Sequence, residues 1–261
     1  MTKLNVIMYH YVMSSGEYPY YRYYLSLDTF KQHLDFFQDR GCNVVIPGDV
    51  QKYKDNDVVL TFDDGLSCHY KYVYPLLKKY GYGGIFFPCC DPLVKRCVLP
   101  VQKVQHVMAK LETLIPENTW VKKHLQYSNN TRLLEEFYQS MFPDGILPFP
   151  YYSLDHARKM CSGGMLMGLH GSDHLHNDDE EYVSGWDVKT NLRLLSDHGL
   201  LPDYWYYAYP YGEHDDQLVK LLKRSGCSGA FTTEKGKANT LDMYRMARYD
   251  ANDVTGWLDV R

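Results

Sequence analysis

The chain has 261 residues, 45% hydrophobic and 23% charged, enough for a full core in one large α/β domain or two small ones, and unlike a disordered or collagen-like chain. With 28 Lys+Arg against 32 Asp+Glu, the net charge of -4 supplies no positive field to gather phosphates, which argues against a nucleic-acid partner. The seven cysteines are odd in number and form no C-x-x-C pair, a pattern of reduced thiols.

The amino-terminal run Leu4 to Tyr9 reads as a strand and is too short for a signal h-region or a membrane span. A cytoplasmic protein without a membrane span is therefore expected. After the tyrosine cluster from Tyr18 to Tyr24, Leu27-Asp28-Thr29-Phe30 opens a helix with Asp28 as its N-cap and Phe30, Leu34 and Phe37 along one face, ending at Arg40-Gly41. Short β-rich runs follow at Asn43 to Ile46, Val58 to Phe62, Gly84 to Phe87, Met165 to Leu169, Tyr204 to Tyr209, Gly229 to Thr232 and Tyr244 to Arg248. Helical patterns separate many of them, at His69 to Tyr80, Ser184 to His198 and Asp215 to Ser225, each with glycine just past its end. This alternation predicts a parallel α/β sheet or barrel whose site gathers at the carboxyl ends of the strands.

Between Val101 and Cys161 the pattern changes. Val101 to Leu114, Trp120 to Tyr127, Thr131 to Met141 and Ser153 to Cys161 all read as helices, a helical insertion at about 101–161 within a single domain spanning 1–261. Three prolines and one glycine between Met141 and Pro150 mark an extended loop there. The 25 tyrosines suit sugar rings as amphipathic faces, and they equally suit half-buried strand positions.

Four groups carry candidate chemistry. Thr61-Phe62-Asp63-Asp64-Gly65 ends an apolar run, and two adjacent acids at a strand end point in different directions, so one can bind a cation while the other stays free for proton transfer. The pentapeptide alone also fits a polar turn. Gly168 to His176 follows a second apolar run and contains three histidines. His170 and His174, four apart, can converge with a carboxylate on one ion, and His176 competes as the second ligand. Tyr209-Pro210-Tyr211-Gly212 forms a rigid turn able to offer an N–H to an oxyanion. His10 ends the first apolar run and would share the same rim, either as a proton donor or as a hydrogen-bonded structural histidine.

These residues resemble the polysaccharide deacetylases, the NodB-homology or carbohydrate esterase family 4 proteins. Thr61 to Gly65 looks like that family's first motif and His170-Gly171-Ser172-Asp173-His174 like its His-x-x-x-His motif. Tyr209 to Gly212 is similar to the third motif of the poly-N-acetylglucosamine deacetylase branch. The resemblance implies a distorted (β/α) barrel of the NodB-homology type. It also implies one divalent metal ion, zinc with cobalt or nickel as alternatives, held by Asp64, His170 and His174. It makes Asp63 the general base and Tyr211, beside Pro210, the oxyanion donor. The family's usual Leu-x-His acid is missing, since no histidine follows His214, and Met8-Tyr9-His10 matches the branch in which an early histidine replaces it. The arginine expected before the third motif is also missing. Arg248 could supply that charge, with Asp250 orienting His10.

The expected activity is removal of an N-acyl group, acetyl first, from an amino sugar in a glycan or glycan precursor. Deacylation, including deformylation, of a small sugar or sugar nucleotide is the first alternative. A non-catalytic carbohydrate-binding relative is the second, and the proton-transfer set argues against it. A metal-dependent phosphoesterase would need more ligands for two ions than these motifs assemble.

Overall fold

The computed structural model describes residues 3–14, 16, 24–47, 53–114, 131–146, 149–174 and 181–258. Its strands are Lys3–Tyr9 (β1), Val12–Met13 (β2), Leu25–Ser26 (β3), Asn43–Val44 (β4), Asp57–Asp64 (β5), Ile85–Pro88 (β6), Leu166–Met167 (β7), Trp205–Ala208 (β8), Cys227–Lys235 (β9), Ala238–Asn239 (β10) and Met246–Asp250 (β11). The main path runs β7-β6-β5-β1-β11-β9-β8, and every neighbouring pair along it is parallel. Leu169, just past β7, bridges in parallel to Tyr207. Its N–H donates to Tyr206 O at 3.0 Å, and its carbonyl accepts the Ala208 N–H at 2.9 Å. The two ends of the sheet thereby meet, giving the nearly closed (β/α) barrel that the alternation of elements predicts.

The strand sequences explain how the barrel fills. In β5, Val58, Leu60 and Phe62 pack outward into the large cluster under the helices, while Val59 packs with Leu4, Val6, Ile85, Phe87, Tyr206 and Phe231 in a second cluster inside the barrel. This is the two-residue alternation of an extended chain with both faces covered. Thr61 and Asp63 continue the inward parity of Val59, and Arg248 continues that of Met246. The β1–β5 register pairs Tyr9 with Phe62, so His10 comes level with Asp63 at the carboxyl rim.

Around the barrel lie helices Leu27–Asp39 (α1), Tyr74–Tyr80 (α2), Cys90–Lys95 (α3), Pro100–Leu114 (α4), Thr131–Met141 (α5), Leu154–Ser162 (α6), Glu181–Asp197 (α7), Asp216–Arg224 (α8) and Ala251–Leu258 (α9). Ser26, not Asp28, caps α1: its Oγ accepts the Thr29 N–H at 2.9 Å. Ser26 is the last extended residue, so Asp28 is already helical and faces the positive end of the dipole from the first turn. Helices α3 and α9 escaped the sequence reading, because each is too short to show a helical apolar period.

Helices α4 and α5 pack on each other through Val104, Val107, Leu111, Leu134, Tyr138 and Phe142, in a cluster of their own. Helix α6 instead gives Ala157 and Met160 to the main core. The helix expected at Trp120 to Tyr127 lies outside the described residues. Among the described residues, no helix is long and apolar enough to cross a membrane.

Candidate active site

At the carboxyl rim, Asp63 and Asp64 are both buried but serve different neighbours. Asp63 points into the barrel, where Arg248, itself fully buried, places Nη1 2.9 Å from Oδ1 and Nη2 2.8 Å from Oδ2. The guanidinium is fixed in turn by Nε donating to Thr232 O at 2.8 Å and Nη1 to Thr61 Oγ1 at 3.2 Å. Burial alone would raise the Asp63 pKa, but the Arg248 charge outweighs it and holds the carboxyl below its ordinary value. Asp63 is thus an ionised, rigid carboxylate. His10 Nε2 lies 4.0 Å from Asp63 Oδ2 with the imidazole partly open to solvent.

Asp64 leaves the strand alternation because its φ is +75°, a left-handed conformation that costs a non-glycine residue strain. The turn swings its carboxylate toward the loop after β7, where Oδ1 lies 3.4 Å from His170 Nε2 and 3.6 Å from His174 Nε2. His170 Nδ1 donates to Ala208 O at 2.8 Å, so in the neutral ring Nε2 presents a lone pair to a carboxylate oxygen. Both facing atoms are buried without a hydrogen-bond partner. Two acceptors so placed repel unless a cation lies between them, and a carboxylate with two imidazoles suits a divalent transition metal. Burial opposes the Asp64 charge, but the facing imidazoles of His170 and His174 prevail and hold the carboxyl well below the usual carboxylate range. Burial likewise opposes charge on His170, where Asp64 prevails and raises the pKa, whereas burial pushes His174 down to about 4.

The sequence profile of polysaccharide deacetylases matches residues 51–230. The chain belongs to the polysaccharide deacetylase family. The matched stretch contains Asp63, Asp64, His170, His174 and Tyr211, while His10 and Arg248 lie beyond it and join the site through the barrel. The Bacillus subtilis strain 168 protein YxkH, a polysaccharide deacetylase by name, is 20% identical over 244 residues, covering 91% of this chain and 67% of its own. The Streptococcus pyogenes deacetylase PplD, solved with acetate, superposes with a TM-score of 0.68 at 18% identity, over 95% of this chain and 92% of its own. IcaB from Ammonifex degensii gives a TM-score of 0.68 at 21% identity, over 99% of this chain and 97% of its own. At these identities the structural likeness establishes the fold.

In this polysaccharide deacetylase, Pro210 opens a short turn against Gly171, and Tyr211, with φ +56°, sets its ring edge-on to His174 at 4.5 Å between centroids. His176 lies outside the described residues. Asp250 does not orient His10: its Oδ1 accepts the Asn252 N–H at 2.9 Å and the Asn252 amide at 2.6 Å, because a local turn at the start of α9 captures the carboxylate. His10 is held from another side, through its carbonyl, which accepts from His69 Nε2 at 2.7 Å. Three neighbours were missed by sequence reasoning. His69 is buried between Phe62 and Phe86. Cys89 places its sulfur within 4.8 Å of both an Asp64 oxygen and a His170 nitrogen, and burial keeps it a neutral thiol. Gln102 reaches Asp64 from α4. The Cys89-Cys90 pair just after the apolar run Gly84 to Phe87 is the one sequence signal that could have pointed to Cys89; nothing in the helical pattern of α4 distinguishes Gln102.

Asp187, on α7, fixes the histidine loop by accepting the Ser172 N–H at 3.0 Å and the Asn191 amide at 3.1 Å. The backbone N–H groups of Cys90 and Asp91 donate to Gly171 O and Ser172 O at 3.1 and 2.9 Å. The loop is therefore braced from two helices before any ligand enters.

Proposed function

We propose that this protein is a metal-dependent carbohydrate N-deacetylase, hydrolysing the acetamide of an amino sugar in a glycan or glycan precursor. The observation that carries the reading is the division of labour between the two acids. Asp64 faces two imidazoles at 3.4 and 3.6 Å, while Asp63 is clamped by Arg248 and lies 4.0 Å from His10. Asp64, His170 and His174 would hold the ion, zinc first, with cobalt or nickel as alternatives. When bound, such an ion supplies Lewis acidity toward the acyl carbonyl and the attacking water.

Asp63 takes a proton from the attacking water on its carboxylate, which Arg248 keeps ionised and pointed into the site. Tyr211, beside His174, supplies a backbone N–H to the tetrahedral oxyanion. His10 gives a proton to the departing nitrogen, an amine being a poor leaving group without it. Asp63 and His10, 4.0 Å apart, thus handle the two protons of one hydrolysis, the first taken from water and the second given to the amine. A purely carbohydrate-binding role would leave this pair without a purpose. The seven cysteines, odd in number and without a C-x-x-C pair, fit a reducing, cytoplasmic setting.

The test is metal content by elemental analysis beside acetate release from N-acetylated sugars, for wild type and Asp64→Ala. About one metal per chain, lost in the variant together with acetate release, supports the reading. A wild-type protein that takes up no metal under any loading condition and releases no acetate would sink it.

A further inference from the structure

Gln102 is fully buried on α4, and its Nε2 donates to Asp64 Oδ2 at 3.0 Å. Two links away, the chemistry settles which end of this amide faces Asp64. The Leu99 N–H donates to the Tyr151 hydroxyl oxygen at 3.0 Å, and the hydroxyl proton goes to Gln102 Oε1 at 2.9 Å. With Oε1 taken, only the NH₂ end remains for the carboxylate. Donors therefore run one way, from Leu99 through Tyr151 and Gln102 to Asp64.

The chain returning from the insertion is joined to the residues just after Asp64. Tyr151 bridges to Leu66, the Tyr152 N–H donates to Gly65 O at 3.1 Å, and the Ser67 N–H donates to Pro150 O at 2.7 Å. Both α4 and the 150–152 segment thus meet the turn that carries Asp64.

We propose that this relay makes the helical insertion a positioning element of the metal site, with Gln102 as its positioning residue. Gln102 occupies Oδ2 and so commits Oδ1, the oxygen facing His170 and His174, to the cation. Without the Tyr151 hydroxyl the amide is free to rotate and present Oε1 to a carboxylate, which repels it. The inference rests on the metal-dependent reading above and goes beyond it by giving the insertion a task.

The experiment measures Co²⁺ affinity by competition with a chromophoric chelator, together with the visible absorption of the bound Co²⁺. The proteins are wild type, Gln102→Leu, Tyr151→Phe, the double variant and Asp64→Ala, with thermal unfolding in chelator run beside them. Loss of an outer hydrogen bond to a ligand weakens metal binding by about 10- to 100-fold, and Gln102→Leu is expected in that range. Tyr151→Phe shifts in the same direction, the Co²⁺ spectrum changes in both, and the double variant is no weaker than Gln102→Leu, because both act through one relay. Wild-type affinity and spectrum in Tyr151→Phe and Gln102→Leu would overturn the relay alone, whatever happens to thermal stability. If Gln102→Leu does not fold, Tyr151→Phe decides. A wild-type chain that binds no Co²⁺, or binds it as well after Asp64→Ala, would overturn the proposed function itself and the relay with it.

Discussion

Arg248 meets Asp63 edge to edge, Nη1 to Oδ1 at 2.9 Å and Nη2 to Oδ2 at 2.8 Å, across 185 residues of chain. Removing one partner of a buried ion pair leaves the other charge unpaired, at a cost of about 3–5 kcal/mol. Arg248→Met is expected to lose stability of that order in urea denaturation. Arg248→Lys keeps the charge but not the planar fork, and should retain more stability than Arg248→Met while still losing turnover. Equal stability in wild type and Arg248→Met would show the pair to be structurally idle.

Asp63→Asn keeps an oxygen for Arg248 but cannot take a proton. Turnover should fall by about 10²- to 10⁴-fold, with metal content unchanged. His170→Ala should lose metal and turnover together. Full activity in Asp63→Asn would remove it as the base.

The proton from His10 matters only for a poor leaving group. His10→Gln should slow amide hydrolysis by about 10²-fold or more, yet barely affect an acetate ester of a nitrophenol, which departs without protonation. Parallel loss on both substrates would assign His10 to positioning instead.

His33 joins α1 to α9. The Thr255 hydroxyl donates to Ala251 O, so it accepts from His33 Nε2 at 2.9 Å, and His33 Nδ1 accepts from the Tyr9 hydroxyl at 3.1 Å. Burial pushes its pKa down to about 4. The unfolded chain, with an ordinary value near 6.5, binds the extra proton first as pH falls. The stability from keeping His33 neutral is therefore complete above about pH 6.5 and declines from there to about 4, with a slope approaching 1.4 kcal/mol per pH unit. Unfolding free energies between pH 7 and 5 should fall less steeply in His33→Gln; an unchanged slope would refute the assignment.

Two glycines should respond oppositely to alanine. A Cβ on Gly168 would sit 2.3 Å from a Phe87 ring carbon and 2.7 Å from Tyr206 O, whereas one on Gly185, within α7, would meet nothing within 4 Å. Gly168→Ala should lower the melting temperature by several degrees. Gly185→Ala should raise stability by about 0.5–1 kcal/mol, the helix-interior preference for alanine. The same sign in both would count against the packing at the barrel seam.

The sequence by itself determined the strands of the parallel sheet but not the two-residue strands β2, β3 and β10, together with most of the helix ends and the two clusters of ligand-type residues. Apolar runs and glycine stops are local, and the acids of Thr61 to Gly65 and the histidines of Gly168 to His174 fall directly after apolar runs. What only the tertiary structure decided depends on contacts between distant segments. Arg248 finds Asp63 because both share inward parity on strands β11 and β5, each a neighbour of β1. Asp250, two residues further, is lost to a local turn that sequence spacing could not weigh against a distant histidine. Gln102 is one polar residue on an amphipathic helix until the fold lays that helix over Asp64. Local pattern fixes which groups stand at a strand end; barrel closure and burial decide which of them touch.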